Sequence, residues 1–304
     1  MCALANIVIL FLCLGLGALL RHYQRLPENA HQALNGFVFN ISLPALVLTQ
    51  VHGIAYQPEF TLAVAMPWLL FALGCAFFWC VSKLFQLDER TTGALMLAGG
   101  LANTSFVGLP MIEAFYGRDY LAIGILIDQL GTYLVLSTLG ILIAAWYNHE
   151  EISVRNISRQ VVTFPPLVAL VLAMALWRVP FPDWLDDVLH RLGATLVPLA
   201  LVSVGMQLHL EAFKGNMRAL CAGLGYKLVL GPAAIAGLYL MALDAEGQII
   251  RVTVFEAAMG PQIGGAIVAA QHGLNPTLVS LMVGLGITLS FITLPLWFAL
   301  LRAA

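Results

Sequence analysis

Four ionisable residues stand inside long apolar runs: Glu113, Asp128, Lys227 and Glu256. Charge in such surroundings is costly, so these positions are candidates for an ion or substrate pathway by default. Lys227 set against Asp128 or Glu256 would form an opposite-charge pair able to exchange a proton, or a static brace between two segments. Asp128, with Gln129 beside it, suits a protonatable carrier or a cation ligand. Glu113 stands near the end of its run, where a carboxylate reaches an interface. A second set is polar but uncharged. Asn103, Thr104 and Ser105 interrupt one apolar run and Gln262 another. Their hydroxyl and amide groups can donate to a carboxylate, or satisfy backbone groups freed by a helix break. Asn40 and Ser42 on an earlier run, and Thr195 and Ser203 on a later one, could line the opposite wall of the same pocket.

The elements that hold these residues follow from composition. Hydrophobic residues make up 61% of 304, and charged residues only 10%. Mean hydropathy is +0.90. A soluble domain carries about 25% charged residues, so the chain reads as an all-α polytopic membrane protein. A spanning helix needs roughly 20 apolar residues. The runs 4–20, 32–52, 60–83, 91–116, 120–146, 162–178, 190–209, 217–240, 248–272 and 276–300 therefore predict about ten spans. The longest polar stretch, YNHEEISVRNISRQ, lies in a linker at 147–161 between a first half, 1–146, and a second, 162–304.

Lysine and arginine are unevenly shared between the two sides. Arg21, Arg25, Lys83, Arg90, Arg155, Arg159, Lys214 and Arg218 fall on one side; Arg118, Arg178, Arg191, Arg251 and Arg302 fall on the other. The excess marks the cytoplasmic side. It puts the N-terminus outside and the linker in the cytoplasm of a cell whose inner membrane the chain would cross. Five spans per half then insert with opposite orientation, as in an inverted repeat.

Two runs are wrong for plain spanning helices. TTGALMLAGGLANTSFVGLPMIEAFYG (91–117) and GQIIRVTVFEAAMGPQIGGAIVAAQHG (247–273) carry Gly, Pro and polar residues at mid-span. Aligned without gaps, Gly117 falls on Gly273, Gly108 on Gly264, and Asn103-Thr104-Ser105 on Met259-Gly260-Pro261. Pro44 and Pro198 match in the second and seventh spans. Interrupted segments at corresponding places in two halves point to a transporter's binding site. Pro261 is the expected break; in the first half the break falls at 103–105 or near Pro110.

The set FNISLPAL, NTSFVGLPMIEAFYG, VPLALVSVGMQL, the in-span Lys227 and EAAMGPQ resembles the auxin efflux carrier family, which includes plant auxin exporters and bacterial malate or malonate permeases. The resemblance runs the whole length of the chain. It implies a fold like that of bile-acid symporters and sodium/proton antiporters. Spans 1, 2, 6 and 7 would form a scaffold, spans 3–5 and 8–10 a transport domain, and broken helices 4 and 9 would cross at mid-membrane. It implies a secondary carrier for a small organic anion, without a cofactor, using a proton or sodium ion if it is coupled, and able to form a homodimer.

Other classes fit less well. No G-x-x-x-x-G-K-[ST] string is present for nucleotide, and no basic face for nucleic acid. The five cysteines, Cys2, Cys13, Cys75, Cys80 and Cys221, show no metal spacing. A channel would want a continuous polar stripe and a sensor a signalling domain. An intramembrane enzyme would need a serine–lysine or histidine-rich site, for which Lys227 with Ser203 or Ser280 are the available residues.

Overall fold

Leucine, alanine and valine runs without charge favour helix wherever no water competes for the backbone, because a helix satisfies its own donors and acceptors. The structure, a computed structural model, describes residues 2–27, 29–52, 54, 57–149, 154–207 and 217–303. Residues 150–153 of the linker, and Lys214, lie outside them. The described residues form helices throughout, and no strand occurs among them. Among the described residues, six helical stretches are long and apolar enough to cross a membrane: Ala30–Val51, Glu59–Phe85, Arg118–Asn148, Asp183–Gln207, Met217–Ala242 and Pro276–Ala303. The runs centred on residues 103 and 260 are missing from that set for a physical reason. Each is split into pieces of 9 to 12 residues, Glu89–Gly99 and Thr104–Phe115, then Gln248–Ala257 and Ile263–Gln271. No piece reaches the length of a span.

The chain divides into two compact units. The first comprises Met1–Gln57, Ser105–Ile125 and Ser158–Leu208. In it, helix Cys2–His22 packs along Leu196–Gln207. A methyl group on Gly17 would strike the Val202 carbonyl oxygen, and one on Gly205 the Leu14 carbonyl oxygen. Small residues thus let two backbones approach closely, which is how membrane helices gain contact when lipid is as apolar as they are. Ser42 and Thr195 share a 2.7 Å hydrogen bond near the two matched prolines. His52 stacks on Phe181, centroids 4.2 Å apart, and hydrogen-bonds the carbonyls of Leu176 and Val179.

The second unit comprises Pro58–Thr104, Leu126–Ile157 and His209–Ala304. Tyrosine hydroxyls tie its helices together: Tyr226 donates to the Leu70 carbonyl at 2.6 Å and Tyr239 to that of Leu62 at 2.7 Å. Asp88 caps helix Glu89–Gly99 by accepting from the Thr91 N–H at 2.6 Å. Asn275 accepts from the Leu278 N–H at the start of the last helix and donates to Thr91 Oγ1, so the two helix starts are held together.

Several helices contain a wide π turn: Val38–Ser42, Thr104–Gly108, Ile127–Tyr133, Leu136–Gly140, Tyr226–Leu230 and Gly237–Ala242. Such turns insert a residue into the helical ladder and gather at functional sites. Asn40, Ser42, Thr104, Ser105, Asp128 and Lys227 all sit in one.

Candidate functional site

The second unit contains a crossing of two interrupted helices. Helix Glu89–Gly99 stops at Gly100, whose N–H still bonds the Met96 carbonyl at 3.0 Å, and the backbone is unwound through residue 103. Helix Gln248–Ala257 stops likewise before Pro261. Where the unwound stretches meet they pair backbone to backbone. The Asn103 N–H donates to the Gly260 carbonyl at 2.9 Å, and Ala102 and Pro261 form an isolated antiparallel bridge. Glycine and proline make this possible. The Pro261 ring packs where a side chain on Gly286 would stand, and a methyl on Gly265 would strike the Leu97 carbonyl oxygen.

Breaking a helix strands carbonyls at one end and N–H groups at the other. At the second break the structure answers two of these needs with side chains. Lys227, fully buried, donates from Nζ to the Ala257 carbonyl at 2.8 Å, at the negative end of the half-helix. Gln262 caps the following half-helix: its Oε1 accepts from the Gly264 N–H at 3.2 Å. The first bond within that helix runs from the Ala266 N–H to the Gln262 carbonyl at 3.1 Å. The N–H groups of Ile263 and Gly265 belong to the uncapped first turn.

The carboxylates take their places around this frame. Asp128, 3% exposed, accepts from Thr104 Oγ1 at 2.5 Å and from Gln129 Nε2 at 2.7 Å. Thr104 is one residue from the break, so Asp128 anchors the first unwound stretch to the neighbouring span. Glu256 is wholly buried, and neither of its oxygens has a hydrogen-bond partner among the described residues. It lies within Coulombic reach of both Asp128 and Lys227. The lysine thus spends its hydrogen bond on a backbone carbonyl and acts on Glu256 through space.

Of the residues singled out in the sequence, Asn103, Thr104, Asp128, Lys227, Glu256, Pro261 and Gln262 fall in this one unit, linked through Lys227–Ala257, Gly260–Asn103 and Thr104–Asp128. Ser105, buried, opens the next stretch of the first unit, where Asn40, Ser42, Ser203 and Glu113 also lie. Asn40 is exposed and donates to the Gly36 carbonyl of its own helix at 2.8 Å. Ser42 is bonded to Thr195, and Ser203 to Asn35 and weakly to the His31 carbonyl. Glu113 pairs with Arg118 at 2.7 Å.

Gln129, Gly265 and Arg118 carry structural weight that the sequence did not assign to them. Gln129 was visible as a buried amide next to Asp128. Arg118 read only as a loop charge, although five residues from Glu113 across a glycine turn is within ion-pair reach.

Residues 2–298 match the family described as membrane transport protein. An uncharacterized transporter of Methanothermobacter thermautotrophicus is 29% identical over 290 residues, covering 93% of each chain. One from Methanocaldococcus jannaschii is 24% identical, covering 90% of each. Auxin efflux carrier component 4 of Arabidopsis thaliana is 26% identical over 150 residues, 45% of this chain and 24% of the plant protein. With the match running almost end to end over a helical, apolar chain, this multi-pass membrane protein belongs to the membrane transport protein family, of auxin efflux carrier type.

Proposed function

We propose that the chain is a secondary carrier, not an enzyme, that moves a small carboxylate-bearing organic anion across the cytoplasmic membrane by alternating access. The observation that carries this is the Asn103 N–H to Gly260 carbonyl bond, which joins two helix breaks at one point. A helix break offers backbone N–H groups to an anion without a buried counter-ion. Here Ile263 and Gly265 supply them, with Gln262 Nε2, which has no partner among the described residues, beside them. Asn103, Thr104 and Ser105 flank the other break. Asn40, Ser42 and Ser203, in the first unit, are further candidates for substrate contact.

Ten spans in two inverted five-span repeats, N-terminus outside and linker inside, give this carrier its two access states. Left-handed Gly117 (φ 96°) and Gly273 (φ 66°), aligned in the two halves, support the repeat. Spans 3–5 and 8–10 would move as the transport domain against spans 1, 2, 6 and 7, the fixed scaffold. Asp128, Lys227 and Glu256 are the groups through which a proton or sodium ion would couple to that movement, with Glu113 at the end of the pathway.

The test is counterflow of labelled malate in proteoliposomes. Wild type should accumulate label against unlabelled malate, since only a carrier exchanges one substrate for another. Asn103→Ala, by losing an oriented side-chain donor, and Pro261→Ala, by letting the unwound stretch regain helical N–H bonding, should each lower the rate about tenfold or more while inserting normally. Downhill flux without exchange would identify a channel, and no flux of any carboxylate a non-transporting sensor.

A further inference from the structure

We propose that Arg118, with Glu113 as its resident partner, forms a separate recruiting site for small carboxylates at one end of the first unit. Glu113 lies in helix Leu109–Phe115. Gly117, at φ 96°, turns the chain so that the next residue folds back over the helix end. Arg118 Nε then donates to Glu113 Oε1 at 2.7 Å. The glutamate side chain is 17% exposed and the arginine 65%.

This pair lines two cavities. One, about 330 Å³, is bounded by Ile9, Pro110, Glu113, Arg118, Val197 and Pro198. The other, about 20 Å³, also has Glu113 and Arg118 in its wall, with Thr49, Gln50 and His190. The larger matches the low end of small-molecule sites, about 300 Å³. Its walls are mostly proline and aliphatic carbon, suited to a short carbon skeleton, with one guanidinium at the edge. The narrow one adds a hydroxyl, an amide and an imidazole, which a second carboxylate could reach.

Stability does not account for the pair. An exposed ion pair contributes about 0–1 kcal/mol. Recognition does account for it. Arg118 uses Nε on Glu113, and its two Nη groups have no partner among the described residues. A guanidinium presents five donors in a fixed fork that matches a carboxylate. An incoming carboxylate therefore takes the free edge of the fork, or displaces Glu113 from it. Glu113 acts as an internal competitor that holds the arginine in place until ligand arrives. The ligand class rests on the carrier reading; the site's residues do not.

The test uses the whole purified protein and malonate as probe, with phenylglyoxal as an arginine reagent and peptide mass spectrometry as readout. Millimolar malonate should slow modification of Arg118 relative to chloride at equal ionic strength, while Arg251 reacts at an unchanged rate. Glu113→Gln should speed modification of Arg118 and lower the half-saturating malonate concentration in counterflow. Arg118→Gln should raise that concentration about tenfold, the loss of one charge-assisted contact, with a maximal rate near wild type. Arg118→Lys should recover only part of it, because the fork is gone. Equal modification with and without malonate overturns the proposal. Protection without counterflow leaves the site standing and removes the carrier reading; counterflow without protection does the reverse.

Discussion

Thr104 and Lys227 each hold a broken backbone in place by satisfying one atom. Thr104 Oγ1 gives Asp128 a donor at 2.5 Å beside the first break, and Lys227 Nζ gives the Ala257 carbonyl a donor at 2.8 Å before the second. A hydrogen bond to a charged group contributes about 1.5–3 kcal/mol. Thr104→Val keeps the shape and removes the donor, so counterflow should fall about tenfold or more, whereas Thr104→Ser should stay near wild type. Lys227→Met strands the buried Ala257 carbonyl and takes away the cation that faces Glu256. Removing one member of a buried charge set costs about 3–5 kcal/mol, and thermal unfolding in detergent should show the loss. Lys227→Met combined with Glu256→Gln should recover part of it, because no uncompensated carboxylate remains. If the lysine were merely filling space, the double variant would be no more stable than the single one. Asp128→Asn should also flatten any dependence of counterflow on an imposed proton gradient.

A helix break is stable only when something else fills the space and takes up the freed groups. At the crossing, glycine provides the space. Gly265 lies against the Leu97 carbonyl and Gly286 against the Pro261 ring. A methyl at either position would push the two backbones apart, and overpacking of this kind costs about 1–3 kcal/mol. Gly265→Ala and Gly286→Ala should therefore lower the unfolding temperature and the counterflow rate together. Gly15→Ala is the control, since nothing lies within 4 Å of a Cβ built there. The π turns have the same logic on a smaller scale. A widened turn at Ile127–Tyr133 carries Asp128, and one at Tyr226–Leu230 carries Lys227. Each shifts the register of a span just where a polar side chain must reach its partner.

Across the whole chain, lysine and arginine distribution is the feature that sets orientation, and it leads to a prediction independent of transport. In a cysteine-free background, Glu246→Cys should react with a membrane-impermeant maleimide on intact cells. Ser158→Cys, in helix Val154–Val162 of the central linker, should react only after permeabilisation. The opposite pattern would reverse the assignment of inside and outside.

Composition alone determined that this is a helical membrane protein, because 61% hydrophobic and 10% charged residues leave no water-soluble alternative. Spacing alone marked the two interrupted runs, since glycine, proline and asparagine at mid-span weaken a helix whatever surrounds it. Neither source could say what becomes of the groups a break releases. That Asn103 pairs with Gly260, that Lys227 turns to the Ala257 carbonyl and not to a carboxylate oxygen, and that Glu113 meets Arg118 beside a cavity were decided by tertiary structure. Hydrogen bonds reach about 3 Å, and which residues come within that reach depends on how distant helices pack, which no local pattern of residue types records.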